Sequence, residues 1–449
     1  MKIRTFKRGI HPPGQKGTTN DLAIEVILPK EGAVMVYPMA QHIGAPCEPV
    51  VAVGERVLLG QLIGAAKGYV SAPVHSSVSG VVKAIGPVIT PAGIMANAVS
   101  IENDGLLEEH PSIKTNDDYM NFSRDQCLEM IRAAGIVGLG GAGFPTVVKL
   151  NPPADKKIDY VIVNAAECEP YLTTDHRVLL EESDKIKIGL QLLLKIFPNA
   201  RGIIAIETNK MDALKKLTAL CRDDNRIEVV GLKPKYPQGA EKQLIYACTG
   251  REVPSGGLPA DIGAIVDNVD TVIAIHRAIV RGRPLMRKIV TVTGGAVNRP
   301  GNFKARLGMS YRELIEQTGG FKEEPYKIIS GGPMMGVAMF DLDVPIIKTS
   351  SAILCLTEKE GALPEESNCI RCSKCVQHCP AGLLPLDLNA YVLRGETDLF
   401  VKNNGLDCIE CGSCSYICPA KRHLAQSIRS ARRLALAERS KQAAAAAKK

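Results

Sequence analysis

Eight of the fourteen cysteines stand in two copies of one pattern, CIRCSKCVQHCP (369–380) and CIECGSCSYICP (408–419). Each copy reads C-x2-C-x2-C-x3-C-P. Three cysteines on one tight loop can cap three corners of an iron–sulfur cubane, while the fourth, followed by proline, points away and ligates the other cluster. The spacing therefore predicts two 4Fe–4S clusters. One takes Cys369, Cys372, Cys375 and Cys418; the other takes Cys408, Cys411, Cys414 and Cys379. A pair of zinc sites is the competing reading. Zinc takes its cysteines as two separated pairs, which leaves the third cysteine and the Cys-Pro of each copy unexplained. The other six, Cys47, Cys127, Cys168, Cys221, Cys248 and Cys355, share no spacing and are expected to be buried small hydrophobes. Clusters of this kind move single electrons and do no chemistry on a substrate. Another site in the chain, or a partner, must supply or accept those electrons.

A second candidate is GLGGAGFPTVVKL (138–150), with G-x-G-x-x-G at Gly138, Gly140 and Gly143. A Rossmann fingerprint would follow a strand and open a helix. Here the loop follows a helical stretch, and Pro145 stands where the helix would begin. What survives is a run of unobstructed backbone N–H groups followed by Lys149, which can cradle a phosphate while the lysine supplies charge. From spacing alone the loop is either a nucleotide or flavin cradle or a plain tight turn. His42, His75 and His176 are expected to make structural hydrogen bonds.

The elements that must position these residues follow from composition and periodicity. A chain of 449 residues is too long for one core and implies about three or four domains. The absence of Trp and the scarcity of other aromatics argue against a base-stacking nucleic-acid binder. The N-terminal stretch MKIRTFKRGIHPPG lacks the apolar core of a signal peptide. With no apolar run of about 18 residues, nothing is expected to span a bilayer. Clustered cysteines without a signal suit a reducing cytosol. The net charge of +8 is confined to residues 421–449, which hold nine Lys/Arg against Glu438 alone; the first 420 residues hold 46 of each sign. That Ala-rich segment is expected to be helical or frayed, either a solvated tail or a docking arm for an acidic partner or anionic membrane surface.

The fold class predicted along the chain is multidomain, α/β plus β. Residues 1–30 read as an irregular lead-in. Residues 31–103 carry short apolar runs between Gly and Pro, in two halves around GERVLLGQLIG and APVHSSVSGVVKAIG. That suggests a barrel-sandwich hybrid without the modified lysine of biotinyl and lipoyl carriers, hence a structural or docking module. Ser123 and Gln126 form a capping box, and over 123–283 strand runs (YVIVNA, GIIAIE, RIEVVGL) alternate with helical ones such as HRVLLEESDKIKIGLQLLLKIF, predicting an α/β domain with a mostly parallel sheet. Residues 286–348, with KIVTVTG, SYRELIEQT, YKIISG and VPIIK, suit a small β-grasp domain. A helical ferredoxin-like domain over 358–425 and a basic tail over 426–449 complete the chain.

Several of these motifs also carry a family resemblance. GLGGAGFPTVVKL with VNAAECEPYLTTDHRVLLE (163–181) resembles the NADH-binding flavoprotein subunit of respiratory complex I. The resemblance implies FMN contacts at Gly138, Gly140, Gly141, Gly143, Phe144 and Lys149, with Asn164, Glu167 and Glu169 in the following strand motif. YPQGAEKQL (236–244) implies Glu241 as a ribose contact, and VDNVDT (266–271) implies Asn268 beside the flavin. Leu139, Ala166 and Ala240 depart from the family, which has Arg, Asp and Glu there. Residues 288–320 resemble the β-grasp domain for soluble ligands (SLBB) of the same flavoprotein. FKRGIHPPGQKGTT, YPMAQHIGAPCEPVVAVGERVLLGQLIG and SAPVHSSVSGVV resemble the RnfC family of Rnf electron-transport complexes, so the likeness covers about residues 3–420. A cobalamin-reductase family shares three of the domains but carries the carrier-like one elsewhere.

The resemblance implies a peripheral protein at the cytoplasmic membrane face. It would bind FMN, NAD(H) and two 4Fe–4S clusters and dock on the other Rnf subunits, both membrane and ferredoxin-interacting. The whole complex would be an enzyme of the translocase class, coupling ferredoxin:NAD electron flow to Na⁺ or H⁺ movement. Hydride transfer needs positioning, not a general acid, and Glu169 with the glycine loop could provide it. Two readings compete: a soluble flavin and iron–sulfur reductase, separable by membrane co-purification, and an electron-wiring scaffold with a decayed nucleotide site, separable by NADH bleaching of the flavin.

Overall fold

The computed structural model describes residues 3–446. In the β-rich N-terminal unit, strands Val34–Pro38, Met95–Asn103, Gly80–Ile89 and Arg56–Val57 form one antiparallel sheet. Glu48–Pro49, Leu62–Ala65 and Val74–His75 form a second. Met35, Tyr37, Val57, Ile63, Val82 and Val99 are fully buried in its core.

The α/β unit opens with the Ser123 capping box on helix Arg124–Ala133. Strands Tyr160–Ala165, Arg201–Glu207, Ile227–Leu232 and Ala264–Asn268 pair in parallel, in the spatial order third, second, first, fourth. Their apolar runs are nearly continuous because both faces are covered. Val161, Val163, Ile204 and Ile265 join the main core with helices Ser183–Ile196 and Val269–Arg281. Ile162, Ile203, Ala205 and Val266 pack beneath helix Glu241–Thr249. The predicted long helix after His176 is two helices, Thr174–Glu181 and Ser183–Ile196, broken at Glu182. The Glu182 carboxylate gathers Lys185, Arg277 and Lys304, and the Ser183 hydroxyl bonds back to the Leu179 carbonyl, so side chains compete with the helical ladder there.

The β-grasp unit contains strands Arg287–Thr293, Gly301–Arg306, Lys327–Ser330 and Val337–Met339, with helix Tyr311–Gln317 capped by Ser310. Two expectations fail here. VPIIK (344–348) is not a strand: its backbone bonds to the 308–311 turn, Ile346 with Gly308 and Met309, and Val344 with Tyr311. The strand that enters the sheet is Ala352–Leu356, beyond the expected boundary at 348 and buried at every position. The lead-in is also less irregular than expected. Glu25–Val26 adds a parallel strand beside Gly301–Arg306, Arg4 bridges Leu232, and Ile10 bridges Tyr236.

The cysteine-rich unit consists of helices Lys374–Gln377, Pro385–Leu393, Thr397–Lys402 and Ser413–Ile417, closed by the long helix Leu424–Ala446. The expected tail boundary at 426 falls inside that last helix and is corrected. Leu424, Ile428 and Ala435 are buried in it, while Arg429 and Arg432 each lie 3.0 Å from the Glu410 carboxylate. Its first three turns therefore belong to the cysteine-rich unit. Lys448 and Lys449 lie outside the described residues. Among the described residues no helix is long and apolar enough to cross a membrane.

Candidate functional site

In a parallel sheet, ligands bind outside the carboxyl ends of the strands where the strand order reverses. Tyr160–Ala165 is that point, with Arg201–Glu207 on one side and Ala264–Asn268 on the other. The loops that leave these carboxyl ends hold the candidates. Asn268 caps helix Val269–Arg281, accepting from the Asp270 amide, and donates to Asp175 at 3.0 Å. It also fixes the glycine loop, since a Cβ at Gly140 would stand 2.7 Å from the Asn268 side chain. Gly143 has φ +71, and its carbonyl accepts from the Ile43 amide of the N-terminal unit. Gly140 and Gly141 are exposed, Phe144 is half-buried, and a Cβ at Gly141 would meet nothing within 4 Å.

Lys149 does not stand free beside this loop. Its ammonium donates to the Val266 carbonyl at 2.6 Å and to Asp267 at 3.2 Å, with Glu241 3.9 Å away. Burial pulls its pKa down, but the two carboxylates hold it above the ordinary lysine value. Asn164 ties the end of its strand to the Gly239 carbonyl at 2.8 Å. The glycine loop and the 164–169, 236–241 and 266–271 segments thus converge on one cleft. Glu167 is buried and caps helix Thr174–Glu181, accepting from the Asp175 amide at 2.8 Å. Glu169 accepts from the Met334 amide at 3.1 Å and lies 3.4 Å from the Tyr236 hydroxyl, and burial raises its carboxyl to about 7.

The cysteines divide by environment. Cys379, Cys408, Cys411 and Cys414 border one small, apolar-lined cavity, and all but the half-buried Cys408 are buried. Cys369 and Cys372 are exposed, and Cys375 and Cys418 half-buried. Among the described residues no three His, Cys, Asp or Glu converge to hold a single metal ion. Thiols spread around a cavity suit a cubane better than one ion. The buried set abuts the cleft, because the Tyr236 hydroxyl donates to the Cys411 carbonyl at 2.7 Å.

Comparison with known proteins bears on each unit. The RnfC barrel sandwich hybrid domain matches residues 4–106, the Nuo51 FMN-binding domain 131–277, the SLBB domain 289–338 and the 4Fe–4S dicluster domain 358–423. The chain is 48% identical to the C subunit of the Na(+)-translocating ferredoxin:NAD(+) oxidoreductase complex of Acetobacterium woodii, over 98% of this chain and 99% of that one. It belongs to the RnfC family, the C subunits of ion-translocating ferredoxin:NAD(+) oxidoreductase complexes. A second member, from the proton-translocating complex of Clostridium ljungdahlii, is 47% identical over 95% of this chain and 93% of its own length. An NAD+-reducing [NiFe]-hydrogenase structure shares the fold, with a TM-score of 0.52 and 17% identity, covering 70% of this chain and 62% of that one.

FMN and two 4Fe–4S clusters are thus the cofactors of this chain, and the cleft suits a flavin. Around it the buried atoms Asp267 Oδ2, Glu167 Oε2 and Thr146 Oγ1 lack hydrogen-bond partners. They are acceptors of the kind that ribityl hydroxyls and the ring N–H can satisfy. Sequence reasoning missed four contributors. Tyr236 opens the YPQGAEKQL motif but had no assigned role. Lys16, from the lead-in, donates to the Glu169 and Leu172 carbonyls and stands 3.7 Å from Glu167. The Gly332–Met334 loop of the β-grasp unit presses on the Glu169 carboxylate. Lys348, fully buried, donates to the Pro73 and Gly135 carbonyls at 2.6 and 2.7 Å and joins three units behind the glycine loop. Among the histidines, His176 bonds Asp212 and His42 accepts from the Ala72 amide. His75 departs from expectation: its Nδ1 is buried without a partner, and burial takes its pKa down to about 3.

Proposed function

We propose that this chain is the nicotinamide-handling, electron-transfer component of a membrane complex that couples ferredoxin:NAD electron flow to Na⁺ or H⁺ movement. It is held at the cytoplasmic face by the other subunits. The observation that carries the reading is the Glu169–Tyr236–Cys411 chain of contacts, which joins the flavin cleft to the buried cysteine set within three residues. When bound, the flavin supplies the conversion between a hydride and single electrons, which the clusters require. The chain's own residues do the positioning. The exposed backbone of Gly140 and Gly141 leaves room for a close approach, Asn268 holds that loop in place, and Asp267 and Thr146 offer acceptors. Glu169 is placed to orient the nicotinamide, and Lys149 with Glu241 flanks the same cleft. Tyr236 and Ile10 seal the path to Cys411 from water. Cys379, Cys408, Cys411 and Cys414 hold the cluster nearest the flavin, while the more exposed Cys369, Cys372, Cys375 and Cys418 hold the one that faces partners.

The test is an NADH titration of anaerobically purified, reconstituted protein followed by absorbance and EPR. Flavin bleaching should be accompanied by reduction of cluster signal. A flavin that NADH leaves oxidised would turn the reading towards an electron-wiring scaffold. Full-length protein that stays soluble in cells containing every other subunit would turn it towards a soluble reductase.

A further inference from the structure

Arg287 and Arg306 end the paired strands of the β-grasp sheet and stand directly opposite each other in antiparallel register. Like charges in that relation repel and destabilise the strand pair. The Nε and Nη1 atoms of Arg287 are buried with no hydrogen-bond partner, as is the Nε of Arg277. These arginines and Arg283 line one small, partly open cavity. The neighbouring carboxylates are already engaged. Glu182 holds Arg277 and Lys304 at 3.2 Å each, Asp270 holds Lys288 at 2.9 Å, and Glu109 holds Arg283. Burial, with Arg287 beside it, takes Arg277 down to about 10, and burial lowers Arg306 as well. Asp270 borders the same cavity but is bonded to Lys288. Among the described residues, the half-buried Arg287 and Arg306 therefore face it with no carboxylate of their own in ion-pair contact, and four arginines there outnumber the one acid.

The cavity is separate from the flavin cleft. Asp270, Ala274 and Arg277 line it at helical spacing, so it sits on the face of Val269–Arg281 turned to the β-grasp sheet. The glycine loop reaches it only through the buried Leu139 side chain. We propose that this cavity binds a small, multiply charged oxyanion of the phosphate type, clasped between Arg287 and Arg306. A guanidinium fork matches two oxygens of such an anion, and two opposed forks need a ligand with acceptors on several sides.

The test uses the flavin-loaded, cluster-containing protein, with inorganic phosphate as the probe against chloride at matched ionic strength. Phosphate should raise the melting temperature, and titration calorimetry should show Arg306→Gln and Arg287→Gln weakening phosphate binding about tenfold or more, the loss of a charge-assisted bond. In chloride the same variants should melt no lower than the parent protein, because the repulsion across the strands is relieved; a structural arginine would give the opposite result. AMP in a parallel arm shows whether the phosphoryl group is taken free or carried on a nucleotide, and binding of either supports the site. The proposal is overturned if phosphate gives no gain beyond chloride or if the variants keep the full gain. It is overturned too if the variants lose flavin or only flavin-free protein responds, since the cavity would then be part of the flavin's own site.

Discussion

Burial lifts the Glu169 carboxyl to about 7 against the opposing pull of the Met334 amide and Tyr236. A raised carboxyl contributes stability fully below its unfolded value near 4.3 and loses that contribution as pH rises through about 7. In function the same titration turns a donor into an acceptor. If Glu169 orients the nicotinamide carboxamide, KM for NADH should fall roughly two- to tenfold as pH rises through 7, the worth of one hydrogen bond. Glu169→Gln should flatten that profile with little change in flavin content; stopped-flow flavin reduction across pH 6 to 8 reads it, and an unaltered profile in the variant removes Glu169 from the role. The glycine loop allows a cleaner test. Gly141→Val projects into open space and should lower flavin occupancy while shifting stability by no more than about 0.5 kcal/mol. Gly140→Ala, which meets Asn268 at 2.7 Å, should cost about 1–3 kcal/mol as well. Released flavin fluorescence and urea midpoints separate the two effects; full flavin in both variants would make the loop only a turn. The eight cysteines were legible because spacing carries their chemistry, whereas spacing left the glycine loop open and the other three loop motifs were legible only through the family resemblance. Tyr236 and Lys16 were not, because their roles arise from contacts with residues 175 and 153 positions away.

Among the elements, the closing helix changes most in meaning. An Ala-rich, basic segment reads as a loose tail, since small residues give little periodic signal. Yet Leu424, Ile428, Ala431 and Ala435 form a stripe at helical spacing against the cysteine-rich core, and Ile428 borders the cavity of the buried cysteine set. Truncation after residue 425 should therefore destroy the buried cluster, whereas truncation after residue 440 should leave both clusters in place. Ile428→Ala should cost about 2–5 kcal/mol in this unit. Iron content and EPR of the three proteins check this. Cys379→Ser should damage the cluster of Cys408, Cys411 and Cys414, which share its cavity, and spare that of Cys369. Loss confined to the latter would reverse the crossed assignment. The strand at AILCL in place of VPIIK was illegible for a related reason: both are short, largely apolar stretches, and the sheet's pairing decides between them.

At the scale of the whole molecule, the first twenty-odd residues fasten units that lie far apart in sequence. Phe6 and Ile10 are buried, Ile10 pairs with Tyr236, Thr19 bonds Thr173, and the Gly9 amide donates to the His378 carbonyl. Burial of the two apolar side chains alone is worth about 3–6 kcal/mol. Deleting residues 3–22 should lower the urea midpoint by that order and reduce flavin retention. A deletion of residues 1–103 thus removes part of the flavin site with the β-unit, and cannot probe docking alone. Equal stability and flavin content after the shorter deletion would show the lead-in to be dispensable.

That fastening also sets a timetable. A ribosome makes Gly9 long before His378, and makes the Cys408–Cys418 set later still. The lead-in can settle on Thr173, Leu232 and Tyr236 as the middle units fold, but Gly9 must wait for His378. Its last contacts form only once the cysteine-rich unit exists. The amino terminus should therefore close last, and its susceptibility to protease on nascent chains should report whether the carboxyl-terminal unit has received its iron and sulfur.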